Sequence, residues 1–527
     1  MTSRFRFIAA AIVPMLAFAA CNSSASPSPS AAAPSAPAAS VAAPSEAASA
    51  APSASAAAAA SPGTKFAGVT VNILTFNGPQ IAEPLQRRAP DWEQLTGGHV
   101  NVVAVGFQTI YDKALLDAST GTNSFDGYVF NPQWMGDFVG PGYLLDLTDR
   151  EKNDPQLDQQ DIVPFFRNFN STYNGKNYTI PLDGDFLMVY YRSDLLQKDG
   201  LQPPATWDDY LSIAQKYNGQ DLNGDGQPDY GSCIAAKKGA QSYWWIINIA
   251  AGMLQSKGTA QGAFFDTTNM NPLLGTNDAM TLALQTYAKA GTLGPPDGLN
   301  MDVGGSRGLF TTGRCALTLD WGDVGTLAPG TYAQDKTGAV ISPGWKQVLD
   351  RSSGKLVPCD ATTCPNAVNG VNHAPFAAFG GWSGAVNAKS PAKQQDAAYD
   401  FLSYMSAPAQ SSIDVTLGKT GFNPYRTSQF TNQAPWIAAG LSQAATDNYL
   451  GAIKDSLSNP NFVLDLRIPQ TKQYEQDVLD TAIAQYLAKE LDEAGTESAI
   501  ADGWNGITDQ AGKDKQLAAY VASLGIK

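Results

Sequence analysis

Histidine is almost absent from the sequence: the chain has 527 residues and only two histidines, His99 and His373. This leaves little room for a histidine-rich metal site or for a catalytic relay built on histidine. Basic side chains are also in short supply, since 34 Lys and Arg stand against 48 Asp and Glu, a formal net charge of −14. Nucleic-acid binders and domains that dock on anionic membranes need clustered positive charge, so both classes are disfavoured.

The apolar run at the N-terminus is short. Residues 7–20 (FIAAAIVPMLAFAA) follow two arginines, and the run is shorter than the ~20 residues that span a membrane. The pattern predicts a secretory signal peptide over residues 1–20. The Phe-Ala-Ala-Cys sequence that ends at Cys21 resembles a bacterial lipobox, with Phe18 at the usual leucine position. The resemblance implies a lipidated cysteine as the mature N-terminus.

Residues 22–62 have almost no side chain large enough to contribute to a core. Of these 41 positions, 38 are Ala, Ser or Pro. Such a segment cannot offset its ordering entropy by burial, and its prolines interrupt the helix that alanine favours. We expect residues 21–62 to form a disordered tether between the lipidated Cys21 and a folded body that begins at residue 63.

Cysteine is sparse, but the body contains four, an even number in an exported chain, which favours disulfides. Cys359 and Cys364 are near enough in sequence to close a small loop, which leaves Cys233 with Cys315. The sequence alone permits three pairings.

The body opens with alternating strand and helix patterns. Three predicted strands alternate with two predicted helices, in the order 69–76, 81–96, 100–105, 110–118 and 127–130. Units of this length predict a parallel sheet with helices on both faces, in which ligands lie beyond the carboxyl ends of the strands. Asn77 and Asn131 each follow a strand and are therefore candidates for ligand contacts.

Several later motifs resemble the bacterial extracellular solute-binding proteins of family 1, the maltose-binding-protein-like receptors, and they occur in the same order along the chain. The motifs lie at 126–148, 173–196, 310–321 (FTTGRCALTLDW), 380–393 (GGWSGAVNAKSPAK), 421–426 (GFNPYR) and 504–525. No single motif is diagnostic, but the ordered set is specific and extends over nearly the whole body.

The resemblance implies an α/β protein with the type II periplasmic-binding-protein fold. In that fold two α/β lobes are joined by a hinge of crossover strands, and a ligand cleft lies between the lobes. The expected ranges are 63–182 with 377–420 for lobe 1, 183–376 with 421–527 for lobe 2, and 181–186, 376–384 and 420–426 for the crossovers.

Sugar recognition needs flat apolar surfaces for ring C–H groups and planar polar groups for hydroxyls. By resemblance, ligand contacts are expected at Asn77, Gln80, Asn131, Gln133, Trp134, Asp183, Asp185, Trp245, Trp321, Asp323, Trp382 and Arg426. Each has a structural alternative: a tryptophan can pack in a core, an aspartate can cap a turn, and Arg426 can pair with a carboxylate. Trp321 lies two places before the position of the tryptophan in the family's Gly-x-Trp motif. Gln80 and Trp134 stand where maltose-type members have basic residues. We therefore do not expect the ligand to be handled as maltose is.

The segment 221–232 (DLNGDGQPDYGS) has the spacing of a calcium loop of the EF-hand type. Gly226 stands at position 6, and the predicted Ca²⁺ ligands are Asp221, Asn223, Asp225, Gln227 and Asp229. Ser232 stands at position 12, where strong sites have glutamate. The alternative is a polar turn; we expect a structural calcium ion without a catalytic role.

The resemblance implies a receptor that captures a sugar, oligosaccharide or polyol and delivers it to an ABC importer. It would be exported, lipid-anchored on the outer face of the cytoplasmic membrane and monomeric, with no nucleic-acid partner and no catalytic cofactor. One rival is a secreted glycoside hydrolase with paired carboxylates, either Asp183 with Asp185 or Asp320 with Asp323. The others are a solute-binding protein for a non-sugar ligand and a surface adhesin.

Overall fold

The computed structural model describes residues 63–378, 380–418 and 420–525, apart from the side chains of Pro79 and Gln80. The predicted signal peptide, the predicted lipidation site Cys21 and the predicted tether all lie outside the described residues.

The described residues form thirteen strands, which belong to two large sheets and two short hairpins. In chain order the strands are β1 Thr70–Phe76, β2 His99–Val105, β3 Gly127–Phe130, β4 Thr172–Tyr173, β5 Lys176–Asn177, β6 Ile180–Pro181, β7 Met188–Arg192, β8 Tyr230–Ser232, β9 Cys315–Asp320, β10 Thr337–Ile341, β11 Gln347–Asp350, β12 Lys355–Pro358 and β13 Ser383–Val386.

The helices fill the connections between the strands and cover both large sheets. They are α1 Pro79–Thr96, α2 Phe107–Thr120, α3 Met135–Val139, α4 Thr148–Lys152, α5 Ser193–Asp199, α6 Trp207–Tyr217, α7 Ser242–Leu254, α8 Asp278–Thr292, α9 Val303–Thr311, α10 Asp323–Leu327, α11 Ala392–Ser406, α12 Pro408–Asp414, α13 Thr427–Thr431, α14 Ala434–Ala438, α15 Gln443–Ser458, α16 Asp480–Leu487, α17 Glu493–Ala511 and α18 Lys513–Ser523. A π-helical segment, Gln473–Leu479, leads into α16.

The first sheet has the strand order β2-β1-β3-β13-β6. β1, β2 and β3 run parallel, as the alternating pattern predicts, and their bounds agree with the predicted ones within one residue. β13 is antiparallel to β3 and to β6, with Ser383 opposite Phe130. The sheet is therefore mixed. The chain leaves it after β6 at the carboxyl ends of the parallel strands, and it enters again at the same end through β13.

The second sheet has the strand order β10-β7-β9-β8. β7 is antiparallel to both of its neighbours, with Met188 opposite Asp320, while β8 runs parallel to β9. β7 and β9 are buried along their whole length, which fits their apolar sequences MVYYR and CALTLD. α6 packs on β8 and β9 and begins with a reciprocal capping box between Thr206 and Asp209.

The three predicted crossovers lie side by side between the two sheets. The backbone N–H of Leu182 donates to the carbonyl of Trp382 at 3.1 Å, and that of Gly184 donates to the carbonyl of Asn423 at 3.1 Å. Gly381 has a φ of +99°, and a Cβ there would lie 2.4 Å from the carbonyl oxygen of Asp183. Only glycine therefore allows this close approach of two crossovers.

Two disulfides lie within the body: Cys233 pairs with Cys315, and Cys359 pairs with Cys364. This is the pairing that the short spacing between Cys359 and Cys364 favours. The first bridge ties the segment after β8 to the start of β9, and the second closes a small loop after β12. Among the described helices, none is both long and apolar enough to cross a membrane.

Candidate functional site

Six aromatic side chains gather where the strands of the two sheets end. We call this cluster the aromatic wall; its members are Phe76, Phe107, Trp244, Trp245, Trp321 and Trp382. They come from the end of β1, the start of α2, the first turn of α7, the residue after β9 and the residue before β13. Three of the six, Trp245, Trp321 and Trp382, are predicted ligand contacts.

The aromatic wall is continuous across both sheets. Phe76 stacks on Trp382, with ring centroids 5.5 Å apart and planes 8° apart. Phe107 meets Trp244 at 6.1 Å, and Trp244 stands edge-on to Trp321 at 5.3 Å. Phe107 lies in the half of the protein that contains the first sheet, and Trp244 lies in the half that contains the second sheet. We call these the first-sheet half and the second-sheet half, and the wall spans the boundary between them.

Several polar atoms at the same strand ends are buried without hydrogen-bond partners. Among them are Oδ1 and Nδ2 of Asn131, Oε1 of Gln133, Nε1 of Trp134 and, at the start of α7, Nε1 of Trp245, and all four side chains are 0% exposed. A buried unpaired polar atom costs about 1–3 kcal/mol, so such atoms in one place need an explanation. A ligand that offers both donors and acceptors satisfies them.

Two carboxyl groups that the sequence analysis did not select, Asp465 and Glu475, lie between these atoms and the aromatic wall. Gln133 Nε2 donates to Glu475 Oε2 at 3.0 Å, and Trp244 Nε1 donates to Asp465 Oδ2 at 3.0 Å. Burial, reinforced by the Asp465 carboxylate, raises the pKa of Glu475 well above its ordinary value. Burial also raises the pKa of Asp465. We infer that the pair, here called the acidic pair, holds one proton at neutral pH.

The sequence carries a signal for only one member of the acidic pair. Asp465 interrupts an otherwise apolar stretch, FVLDL at 462–466, and a charged residue inside a buried run marks a candidate site. Glu475 lies in a polar helical stretch, where a glutamate is unremarkable. Phe76 and Phe107 likewise resemble ordinary core residues in sequence.

Asp183 and Asn423 join the crossovers. The Asp183 carboxylate accepts the backbone N–H of Asn423 at 2.6 Å and that of Trp382 at 3.1 Å. Asn423 Nδ2 donates to Asp185 at 2.7 Å, and the Tyr449 hydroxyl donates to Asn423 Oδ1 at 3.2 Å. Burial raises the pKa of Asp183 to about 7 and that of Asp185 well above its ordinary value. These contacts hold the three crossovers together.

Arg307 holds the two carboxylates at the end of β9. Its guanidinium donates to Asp320 at 2.7 and 3.1 Å and forms an ion pair with Asp323. Asp320 also accepts the backbone N–H of Trp321 at 2.7 Å, which fixes the chain where that ring enters the aromatic wall. Of these two predicted contacts, Trp321 belongs to the aromatic wall, and Asp323 lies two residues further along the chain, paired with Arg307.

Asn77 and Trp134 have different surroundings, although both follow strands of the first sheet. Asn77 is exposed at the end of β1. Trp134 is 0% exposed and stands edge-on to Tyr111 at 5.3 Å, in the core beneath the sheet. Its position is that of a packing tryptophan. The side chain of Gln80 lies outside the described residues.

Arg426 does not lie at the aromatic wall, although the sequence analysis predicts it as a ligand contact. Its side chain is fully buried, and its guanidinium donates to the carbonyls of Leu157 at 2.7 Å and of Ser406 at 2.9 Å. Both acceptors belong to the range predicted for lobe 1, whereas Arg426 was assigned to lobe 2. The third crossover therefore keeps its contacts with the first half through this arginine.

The predicted calcium loop is a turn held largely by its own side chains. Asp221 accepts the backbone N–H of Gly226 at 2.9 Å, in a network of similar bonds. The Asp229 carboxylate accepts the backbone N–H of Leu222 within the loop at 2.8 Å through one oxygen and pairs with Arg314 at 2.7 Å through the other. Within the described ranges, no group of three or more His, Cys, Asp or Glu side chains is placed to hold a metal ion.

A cavity of about 350 Å³ borders the aromatic wall on its outer side; it is lined by Phe107, Tyr243, Lys238, Lys472 and Asp480, among others. A larger groove of about 740 Å³ lies between α8 and the connection from α16 to α17. The larger groove contains none of the residues of the wall or of the acidic pair, so volume alone does not identify the site.

Comparison with known proteins agrees with this architecture. A probable amino-acid ABC transporter periplasmic-binding protein of Sinorhizobium fredii is 25% identical over 391 residues, which cover 71% of this chain and 79% of that protein. A solute-binding protein of Agrobacterium radiobacter, solved with ribitol, superposes with a TM-score of 0.67 at 22% identity, over 85% of this chain and 100% of that one. Maltose-bound MalE3 of Thermotoga maritima superposes with a TM-score of 0.64 at 17% identity, over 84% and 100%.

The structural neighbours confirm the predicted α/β fold of the maltose-binding-protein type. The family described as bacterial extracellular solute-binding protein matches residues 78–411. That range includes every strand of the two large sheets except β1, the first two crossovers and five of the six residues of the aromatic wall. The chain belongs to the bacterial extracellular solute-binding proteins.

Proposed function

We propose that the protein binds a carbohydrate, either a sugar or a polyol, and delivers it to an ABC importer. One observation carries the proposal: an aromatic wall bordered by buried polar atoms that lack partners. Aromatic faces pack on C–H groups, while each ligand hydroxyl can donate and accept a hydrogen bond. A polyhydroxylated ligand therefore matches both parts of the site at once.

The charges around the site disfavour an amino acid, the ligand class in the name of the Sinorhizobium relative. An amino acid carries a carboxylate, which is usually bound by arginine or by backbone N–H groups. Arg307 is engaged by Asp320 and Asp323, and Arg467 donates to the carbonyls of Phe169 and Thr172. Arg307 is thus engaged by two carboxylates, and Arg467 uses two of its guanidinium nitrogens on backbone carbonyls, while its Nε has no partner among the described residues.

Ligand capture would close the two halves around the aromatic wall. The wall takes rings from both halves, and the three crossovers lie side by side where a hinge is needed. A ligand favours closure only through contacts with both halves at once. Asn131 and Gln133 on one side and Trp245 on the other supply such contacts.

A thermal-shift screen of the exported protein against monosaccharides, disaccharides, polyols and amino acids tests the proposal. Ligand at 100 times its Kd stabilises the folded state by about 2.7 kcal/mol, which gives a visible rise in Tm. A rise with sugars or polyols is expected. A rise with amino acids alone would contradict the carbohydrate assignment.

We infer that the protein is a receptor without catalytic activity. The family consists of solute-binding receptors. The carboxylate pairs that a glycoside hydrolase would use are engaged: Asp183 by crossover backbone, and Asp320 and Asp323 by Arg307. Release of a chromophore from aryl glycosides by the purified protein would contradict this inference.

Export follows from membership of an extracellular family, whereas lipid anchoring through Cys21 is our proposal. The sequence around Cys21 supports it, and a monomer tethered to the outer face of the cytoplasmic membrane is the expected form. A Cys21→Ser variant should appear in the medium or remain an uncleaved precursor. A cleaved variant that still fractionates with membranes would contradict the anchor.

We also propose a calcium ion in the loop 221–232. The alternating oxygen-bearing side chains of Asp221, Asn223, Asp225, Gln227 and Asp229 support it. Position 12 is Ser232 instead of glutamate, so the site is expected to be weak and structural. Removal of the calcium ion should lower the melting temperature and leave the affinity for the carbohydrate ligand unchanged.

A further inference from the structure

We propose that the acidic pair, Asp465 and Glu475, selects the ligand by charge. The pair admits neutral and amine-bearing polyhydroxylated molecules and rejects those with a carboxylate or a phosphate. The inference rests on the proposed carbohydrate function and narrows the class of carbohydrate that the same site accepts.

The acidic pair lies where the two halves and the hinge meet. Glu475 accepts a hydrogen bond from Gln133 of the first-sheet half, and Asp465 accepts one from Trp244 of the aromatic wall. The backbone N–H of Asp465 donates to the carbonyl of Ala378 in the second crossover at 3.2 Å. A ligand that contacts both halves at the wall must therefore pass close to these carboxyl groups.

The buried cation nearest in sequence does not neutralise the acidic pair by direct contact. Arg467 directs its guanidinium to the carbonyl of Thr172 at 3.2 Å and to that of Phe169. Within the described residues no ion pair joins Arg467 to Asp465 or Glu475 within 4.0 Å. Burial raises the pKa of Asp465 and the charge of Arg467 opposes that rise from a longer distance, but no hydrogen bond from Arg467 occupies the carboxyl oxygens of the pair.

The other described ionisable groups around the acidic pair are not in ion-pair contact with it. Tyr243, on α7, lies near both carboxyl groups, and Asp480, at the start of α16, accepts the backbone N–H of Gly239 at 2.7 Å. Lys238 and Lys472 line the 350 Å³ cavity, together with Asp480 and a second aspartate. Among the described residues the ion pairs of Lys472 are with Asp112 and Asp477, so it leaves the acidic pair without a direct cationic partner.

A ligand hydroxyl or ammonium can donate to the acidic pair, whereas a ligand carboxylate can only repel it. Opposed like charges in a poorly solvated interface cost about tenfold or more in affinity, even when one carboxyl group of the pair keeps its proton. An ammonium group adds charge compensation to its hydrogen bonds. Discrimination against anions is therefore expected even when the hydroxyl pattern is otherwise identical.

Two matched ligand series test the proposal by calorimetry at pH 7.5 on the whole exported protein. The pyranose series is glucose, glucosamine and glucuronate; the acyclic series is sorbitol, glucamine and gluconate. In whichever series binds, the carboxylate form should bind at least about tenfold more weakly than the neutral form. The amine form should bind at least as tightly as the neutral form.

The double variant Asp465→Asn/Glu475→Gln should bring the affinities for the carboxylate and neutral forms within about threefold of each other. Asp514→Asn/Glu490→Gln, which removes two exposed charges, is the matched control and should keep the discrimination. If the double variant does not fold, Asp465→Asn alone provides the comparison, because it removes one carboxyl group from the pair and should narrow the difference between the two forms.

Equal binding of carboxylate and neutral forms by the wild type would overturn the proposal. So would undiminished discrimination in the variant. A different result would refute the proposed function on which the inference rests. In that result the protein binds amino acids, but it binds no member of either series and no other sugar or polyol.

Discussion

Replacing Asn423 with aspartate should destabilise the protein strongly at neutral pH and much less at pH 5. Asn423 Nδ2 donates to Asp185 at 2.7 Å, and to Asp183 and Asp323 at 3.3 Å each. Aspartate has nearly the same shape, but it lacks this donor and adds a negative charge. Four carboxyl groups would then face one another in a buried site.

The magnitude follows from the loss of a partner for buried charge, which typically costs about 3–5 kcal/mol. Burial raises the pKa of Asp183 to about 7, from an ordinary value near 4. Between these pH values the native state binds more protons than the unfolded state, so this carboxyl group stabilises the fold fully below about pH 4, and the stabilisation is lost as the pH rises through about 7. The carboxyl group introduced by Asn423→Asp, next to these acids, should strengthen this dependence of stability on pH.

Thermal unfolding of the wild type and the Asn423→Asp variant at pH 5, 6, 7 and 8 measures the effect. The loss of Tm should be largest at pH 8 and shrink steadily toward pH 5. Asn101→Asp makes the same chemical change on the exposed side of β2 and serves as the control. Equal losses at pH 5 and pH 8, or a loss no larger than that of the control, would refute the reasoning.

Three further predictions concern other parts of the molecule. Trp245→Ala should weaken ligand binding about thirtyfold or more and cost about 3–5 kcal/mol of unfolding free energy, because the ring is fully buried; unchanged affinity in calorimetry would place the ligand elsewhere. Replacing Cys233 and Cys315 together with serine should cost about 4 kcal/mol, since the bridge joins residues 82 apart; an unchanged denaturation midpoint would contradict this. Calcium should raise Tm, and Asp225→Asn should abolish the rise; a melting curve that ignores both calcium and chelator would make the loop an ordinary turn.

The sequence predicts best what local pattern determines. The parallel strands β1 to β3 are each marked by their own apolar run and a following turn, and their predicted bounds are confirmed within one residue. The crossovers are visible because glycine-rich links such as Gly380-Gly381 connect strands where two backbones must approach closely. These features depend on residues that are neighbours in the chain.

The site depends on residues that are distant in the chain, and the sequence predicts less of it. Gln133 and Glu475 are 342 positions apart, so their contact has no local signature. Arg426 illustrates the same limit: an arginine beside a crossover motif suggests a ligand contact, whereas its long side chain reaches carbonyl groups in the first half. Direction of a long side chain is set by packing, which a motif does not encode.

The buried polar atoms of the site explain why a ligand that contacts both halves is expected to favour closure. Without a ligand, the described arrangement leaves polar atoms of Asn131, Gln133 and Trp245 unpaired, at about 1–3 kcal/mol each. The ring contact between Phe107 and Trp244 across the halves is worth only about 0.5–1.5 kcal/mol in addition to its buried area. Ligand hydroxyls pair with the polar atoms of both halves, and so they remove the penalty and favour closure. A molecule that pairs with the polar atoms of only one half would leave those of the other half unpaired in the closed form. We therefore expect such a molecule to bind without closure.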